Sequence, residues 1–379
     1  MENKREFVPR LIAWEITRKC HLACKHCRGG ARDTDYTGEL TTDEALKLLD
    51  NIATFNEPII IILTGGEPMA RDDVFEIARY GTDLGLRMVM SPCGQLIDDE
   101  SAEKIKASGI QRLSFSIDGA TAESHDSFRG VPGAFEGTMR GIEICKKHGI
   151  EYQVNTTVTK LNVDELPDIL ELSLEIGAVA FNPFLLVPTG RGSDLVDMEL
   201  SPDEYERVLD WVRIKAAEVD LFFKPTCAPH YHRIIRQKKG PEPKVKSPMG
   251  ARMGQHPGSH GGGHRVKPSG HPGSMSSLTR GCMGGVSFAF ISHIGEVQIC
   301  GFLPVKCGDV REKDFVSIWD TSEVFLKLRD YSNIGGKCGR CEFIKVCGGC
   351  RARAYAVTGD YLAEEPLCSY EPGKRAESL

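Results

Sequence analysis

Six short apolar runs separated by amphipathic stretches fill the first two hundred residues, and this alternation limits the fold more than any other feature of the chain. "LIAWEIT", "PIIIILTGGEP", "RMVMSPCG", "RLSFSIDG", "YQVNTTVT" and "AVAFNPFLLVP" read as strands, rich in β-branched and aromatic residues and closed by glycine, proline or polar turns. Helical stretches lie between them. "LTTDEALKLLDNIATF" opens with Thr41 and Glu44 at capping-box spacing, and Ala45, Leu48, Leu49 and Ile52 then recur along one helix face. "VFEIARYGTDLGL" and "GAFEGTMRGIEICKKHG" repeat the pattern. Strands apolar on both faces belong in a parallel sheet sheathed by helices, so the expectation is an α/β fold, a partial (β/α)6 barrel of TIM type. Functional loops should then follow the strands' C-terminal ends.

A length of 379 residues exceeds one ordinary core. The expected division is a barrel core over 1–205, a helical bridge over 206–277, and a compact cysteine-rich domain over 278–379. The bridge carries a Gly/His-rich insertion, 248–277, in which His256, His260, His264 and His271 are irregularly spaced and read as a flexible polar segment. A net charge of -6 with interspersed signs leaves no polyanion-binding face, so no nucleic acid partner is expected. The N-terminal residues hold no apolar leader, and no apolar run reaches membrane-spanning length. A soluble cytoplasmic protein with no membrane association is the expectation.

Fourteen cysteines raise the question of disulfides, but the chain's size and the tight spacing of its thiols favour metal sites. Cys20, Cys24 and Cys27 form a C-x3-C-x2-C loop directly after the first strand. Zinc and iron-sulfur sites both want four ligands in their structural forms, so three thiolates leave an open position, the mark of a catalytic centre. A 4Fe-4S cube with one open iron satisfies this; a zinc ion completed by His21 or His26 is the alternative. In the second region Cys338, Cys341, Cys347, Cys350 and Cys368 give C-x2-C-x5-C-x2-C-x17-C, preceded by Cys282, Cys300 and Cys307. Auxiliary clusters or a zinc ribbon would both suit that spacing. Cys93, Cys145 and Cys227 stand alone, and Cys93 reads as a small buried hydrophobe.

The first cysteine loop, with His26 at the aromatic position of C-x3-C-x-aromatic-C, resembles the signature of the radical S-adenosylmethionine (SAM) enzymes. The resemblance implies that Cys20, Cys24 and Cys27 hold a 4Fe-4S cluster whose open iron is chelated by SAM, cleaved there to a 5'-deoxyadenosyl radical. It further implies SAM contacts at His26, at Gly65, Gly66 and Glu67 of "TGGEP", at Ser116 and Asp118 of "SIDG", and at Asn155. The C-terminal pattern resembles the SPASM extension, which holds two auxiliary 4Fe-4S clusters. Cys338, Cys341, Cys347 and Cys368 would ligate one; Cys282, Cys300 and Cys350 would ligate the other, with Cys307 replacing a cysteine missing from the pattern.

Longer segments, among them "IDGATAESHDSFRGVPGAFEG" and "GGCRARAYAVTGDYLAEEPLC", resemble the heme synthases of the siroheme-dependent pathway. That likeness implies an Fe-coproporphyrin III substrate whose two propionates are oxidatively decarboxylated to vinyl groups, giving heme b, with an unidentified electron donor and acceptor. Arg28, Arg129 and Arg191 are then expected as propionate clamps, since guanidinium pairs bidentately with carboxylate, and His230, His232 or Cys227 as axial ligands of the substrate iron. Other tetrapyrrole-modifying enzymes of the superfamily, acting on didecarboxysiroheme or building heme d1, share the motifs. So do SPASM peptide and sulfatase maturases. An electron carrier or zinc adaptor is the non-enzymatic alternative.

Overall fold

The computed structural model describes residues 5–238 and 281–373; the Gly/His-rich stretch 248–277, with His256, His260, His264 and His271, lies outside the described residues. Seven parallel strands run side by side in chain order: β1 (Leu11–Thr17), β2 (Ile60–Gly65), β3 (Arg87–Met90), β4 (Leu113–Ser116), β5 (Tyr152–Val158), β6 (Ala180–Leu185) and β7 (Phe222–Phe223). Helices α1 (Thr42–Ala53), α2 (Val74–Asp83), α3 (Asp99–Ala107), α4 (Ala122–Arg129), α5 (Ala134–His148), α6 (Leu166–Glu175) and α7 (Pro202–Glu218) connect them. The α/β class and the parallel core match expectation.

Local chemistry sets these elements. At α1 the Thr41 hydroxyl accepts from the Glu44 N–H at 3.3 Å and the Glu44 carboxylate accepts from the Thr41 N–H at 2.8 Å, closing the capping box. Ala45, Leu48, Leu49 and Ile52 are the buried face of α1. Strand β5 alternates: Tyr152, Val154, Thr156 and Val158 are buried, while Gln153, Asn155 and Thr157 on the other face are half-buried. Period-two alternation of this kind leaves one face for packing and one for a site.

The C-terminal region does not stand apart from this sheet. After α8 (His230–Gln237), strand β8 (Phe288–Ile291) pairs in parallel with β1, placing Leu11 opposite Phe288 and Trp14 opposite Ile291. Strands β9 (Glu296–Cys300) and β10 (Leu303–Asp309) continue from it as an antiparallel meander, giving one ten-stranded sheet. The free edge of β1, otherwise a row of unpaired backbone groups, is thereby covered. Helices α9 (Phe315–Thr321) and α10 (Glu323–Arg329) pack Trp319 into the core, where its indole N–H donates to the Phe7 carbonyl at 3.1 Å. The chain closes with α11 (Gly336–Gly339) and α12 (Arg351–Thr358). No helix among the described residues is long and apolar enough to cross a membrane.

Candidate functional site

The loop after β1 gathers Cys20, Cys24 and Cys27 with Leu22, Ala31, Cys93, Val131 and Ala134 in a small apolar cluster of its own. Each sulfur has a donor. The Leu22 N–H reaches Cys20 Sγ at 3.4 Å, the Ala31 N–H reaches Cys27 Sγ at 3.3 Å, and Arg129 Nη1 reaches Cys24 Sγ at 3.5 Å. Donors aimed at sulfur stabilise thiolates and tune iron-sulfur clusters. Among the described residues no three His, Cys, Asp or Glu side chains are gathered closely enough to hold a single metal ion. His21 is instead engaged with Gln95 at 2.6 Å, and the His26 ring stacks on Phe128 at 4.6 Å. Three thiols on one loop, each with its own donor, and two histidines engaged elsewhere fit a thiolate-bound cluster better than a zinc ion completed by histidine.

The turn ending β2 packs hard against this loop. The Gly66 N–H donates to the Thr17 carbonyl at 2.9 Å and the Glu67 N–H to the Lys19 carbonyl at 2.8 Å, and a Cβ at Gly66 would stand 2.3 Å from that same Lys19 oxygen. Glycine is required for a backbone-to-backbone approach, which seats the turn beside the thiols. Glu67 is fully buried and accepts from the Met69 N–H at 2.9 Å and the Cys93 N–H at 2.6 Å, bracing two adjacent turns. Burial pushes its carboxyl above the usual range, against the pull of those bonds.

Across the half-buried face a polar row runs in register. Ser116 on β4 lies opposite Asn155 on β5, which lies opposite Asn182 on β6, and Asn182 Nδ2 donates to Asn155 Oδ1 at 3.2 Å. Asn182 was absent from the sequence expectations; its signal is a lone amide in the apolar run of β6. Asp118 follows β4, with its Oδ2 at 2.6 Å from Arg129 Nη2 and its Oδ1 accepting from the Thr157 N–H at 2.6 Å. Burial alone would raise the Asp118 pKa, but Arg129 ahead of His26 and His125 holds it below the usual value. His26 Nε2 stands 3.8 Å from the same Asp118 oxygen, and burial outweighs that charge, lowering the imidazole to about 4. The ring is neutral at physiological pH.

The three arginines expected to clamp propionates are occupied by the protein itself. Arg28 Nη2 pairs with buried Glu15 at 2.8 Å and its guanidinium lies over Phe290 at 4.5 Å. Arg129 is shared between Asp118 and Cys24. Arg191 donates to the Cys24 carbonyl at 2.9 Å and the Ala31 carbonyl at 2.6 Å, leaving Nη2 without a hydrogen-bond partner. All three arginines brace the cysteine loop, because its carbonyls, a thiol and the nearby carboxylates are the acceptors within reach.

Cys338, Cys341, Cys347 and Cys368 line one cavity, together with His230, Arg233 and Glu365. Two of these sulfurs accept backbone donors: Cys338 from Glu365 at 3.3 Å and Cys341 from Phe343 at 3.4 Å. Four thiols around one space fit a fully ligated cluster. His230, expected near the substrate iron, is in this wall instead, 3.9 Å from Glu365 and edge-on to Tyr205. It starts α8, beyond the barrel strands, and burial first of all lowers its pKa to about 4.

Cys282, Cys300 and Cys350 form a second group, near enough that Cys282 and Cys350, after burial, raise the Cys300 thiol. Cys307, expected as their fourth partner, is not with them. It sits in β10 with Sγ 3.6 Å from the Val305 carbonyl and with Ser322 and Arg329 as its electrostatic neighbours, because the hairpin turns it toward α9 and α10. Arg353, also absent from the expectations, is fully buried beside these thiols and pairs with Glu365 at 3.3 Å.

A radical SAM superfamily profile matches residues 14–173, and that of the SPASM iron-sulfur cluster-binding domain matches residues 282–351. Over 370 residues the chain is 51% identical to an AdoMet-dependent heme synthase of Methanosarcina barkeri, covering 97% of this chain and 98% of that protein. It is 32% identical over 377 residues to an Fe-coproporphyrin III synthase of the same organism, covering 94% of this chain and 87% of that one. Streptococcus suis SuiB bound to its precursor peptide SuiA superposes with a TM-score of 0.70 at 16% identity, covering 96% of this chain and 76% of SuiB, a likeness of fold alone. The radical SAM domain implies a 4Fe-4S cluster with AdoMet, and the SPASM domain implies auxiliary iron-sulfur clusters.

Proposed function

The chain belongs to the radical SAM superfamily, in the SPASM-bearing group that contains the AdoMet-dependent heme synthases, and we propose that it converts Fe-coproporphyrin III to heme b by oxidative decarboxylation of two propionates. The observation that carries this reading is end-to-end identity to a heme synthase, far above that to the Fe-coproporphyrin III synthase of the same organism. Cys20, Cys24 and Cys27 would hold the cluster, which with SAM bound would supply a 5'-deoxyadenosyl radical able to take one hydrogen atom from the propionate carbon beside the ring; loss of carbon dioxide and of one electron from that carbon would leave the vinyl group, and the auxiliary thiol sites would offer the electron an exit.

In this reading Cys20, Cys24 and Cys27 hold the radical cluster, each steadied by its N–H donor. Gly65, Gly66 and Glu67 shape the turn that receives the SAM amino group, while Ser116, Asn155 and Asn182 offer polar atoms along the half-buried face. Asp118 and Arg129 fix the end of α4, on whose Phe128 the His26 ring is stacked. Arg191 keeps one unpaired donor for a propionate or the SAM carboxylate. Cys338, Cys341, Cys347 and Cys368 hold an auxiliary cluster. The division into a core over 1–205, a bridge over 206–277 and a cluster-bearing region over 278–379 is functional, since the sheet itself is continuous. Electrons enter from one external carrier and leave to another.

The test is anaerobic. The chain is reconstituted with iron and sulfide, given SAM, a low-potential reductant and Fe-coproporphyrin III, and the porphyrin is followed by mass spectrometry. Stepwise loss of two carboxyl groups with formation of 5'-deoxyadenosine is expected. Deoxyadenosine beside an unchanged porphyrin would refute the reading and direct the assay to didecarboxysiroheme.

A further inference from the structure

We infer that Cys227 completes, with Cys282, Cys300 and Cys350, a four-thiolate site that holds an auxiliary iron-sulfur cluster with no open iron. The inference rests on the auxiliary-cluster reading above and deepens it.

Cys227 belongs to the bridge, far in sequence from the other three thiols. The segment ahead of it is laid along the end of β6, where the Thr226 N–H donates to the Pro183 carbonyl at 2.8 Å and the Leu185 N–H to the Thr226 carbonyl at 3.1 Å. Cys227 then turns off this ladder with φ +56°; among the described residues it shares a left-handed φ only with Asn56 and glycines. A non-glycine side chain in that region stores strain, which persists where its surroundings over-determine the conformation. One restraint is Arg353 Nη2, which donates to the Cys227 carbonyl at 3.3 Å and to the Leu186 carbonyl at 3.0 Å. Arg353 sits three residues beyond Cys350 on α12, so the guanidinium ties the Cys227 turn to the helix that Cys350 begins.

The four thiols share one buried neighbourhood. After burial, the groups that act most on the Cys227 thiol are Cys350 and Cys300, with Cys282 also contributing and Arg353 opposing them. Arg353 likewise opposes the burial of Cys350. Four converging thiolates carry more negative charge than a buried site tolerates without a cation, and Arg353, fully buried, supplies one. Cys307 has no such company. The site also adjoins the radical loop: Gly301, next to Cys300, lies so close that a Cβ would meet Arg28 Cδ at 2.9 Å, and Arg28 follows Cys27. Held by four thiolates, a cluster there would supply an electron-accepting site with no iron open to substrate.

The experiment compares wild type, Cys227→Ala, Cys227→Ser and Cys307→Ala after anaerobic reconstitution, reading iron and sulfide content, electron paramagnetic resonance and cluster potentials, with and without cyanide as a probe ligand. With SAM present to occupy the open iron of the radical cluster, wild type and Cys307→Ala should hold about twelve irons per chain, three cubes of four, with spectra that cyanide leaves unchanged. Cys227→Ala should show either an oxidised three-iron signal or a cyanide-induced change at one cluster. Cys227→Ser, which keeps the side chain's size, should shift one cluster potential. Preservation of the radical cluster's own spectral response to SAM reports that the variants are folded. Variants of Cys227 with wild-type spectra and potentials, or a Cys307→Ala protein showing the cyanide effect, would overturn the assignment. Wild type holding only about four irons would overturn the auxiliary-cluster reading itself.

Discussion

Replacing Glu15 with glutamine should cost the folded protein about 3 kcal/mol at neutral pH. Glu15 is a charged residue in the middle of β1, fully buried, and it meets Arg28 at 2.8 Å, Arg18 at 3.0 Å and His293 at 2.9 Å. Burial would raise its pKa, but Arg28 and then His293 and Arg18 more than reverse this, taking the carboxyl from 4.5 to about 2. A depression of that size corresponds to about 3 kcal/mol, within reach of the roughly 3–5 kcal/mol lost when one member of a buried ion pair is removed. The stabilisation is present in full above the unfolded pKa of 4.5 and is lost as pH falls toward about 2, so measurement at pH 7 captures all of it. Glu15→Gln keeps the shape and removes the charge, leaving the half-buried Arg28 and Arg18 without their counter-charge. Anaerobic urea unfolding of the reconstituted protein, followed by far-UV circular dichroism, gives the difference. A Glu15→Gln protein within about 0.5 kcal/mol of wild type, the range of an ordinary surface change, would refute the argument. Additive losses in the Glu15→Gln/Arg28→Met double variant would refute it as well, because partners in one pair must couple.

Alanine at Cys20, Cys24 or Cys27 should abolish SAM cleavage, read as 5'-deoxyadenosine, whereas Cys341→Ala should keep cleavage and lose porphyrin decarboxylation. Gly66→Ala brings a Cβ to 2.3 Å from a backbone oxygen that no rotamer change can move; unfolding should show a loss of about 1–3 kcal/mol, and titration a weaker hold on SAM. Arg129→Met leaves Asp118 buried without its cation and should cost about 3–5 kcal/mol. Adding Asp118→Asn to it should recover part of that loss in the same urea assay.

Local chemistry was legible because it acts over a few residues. The capping box at Thr41 and Glu44 and the buried face of α1 follow from spacing alone, and the C-x3-C-x2-C loop carries its three sulfurs on one turn of backbone. The parallel core follows from strands apolar on both faces. Asn155 could be picked out on β5, but its partner Asn182 belongs to another strand, and only the β5–β6 register sets the two amides together.

What the sequence determined by itself was therefore the repeat, the class of fold and the two cysteine regions, since periodicity and ligand spacing are short-range properties of the chain. Tertiary structure decided the rest. The strand of the cysteine-rich region could find the open edge of β1 only after the sheet existed. Arg28, Arg129 and Arg191 turned inward because folding brought carboxylates, a thiol and loop carbonyls within their reach. The sequence points to Cys307, seven residues after Cys300, as the fourth thiol, but a hairpin carries it away and the end of β6 carries Cys227 toward the others. A thiolate ligand is chosen by where the backbone delivers its sulfur, and no linear spacing encodes that when the partners are more than fifty residues apart.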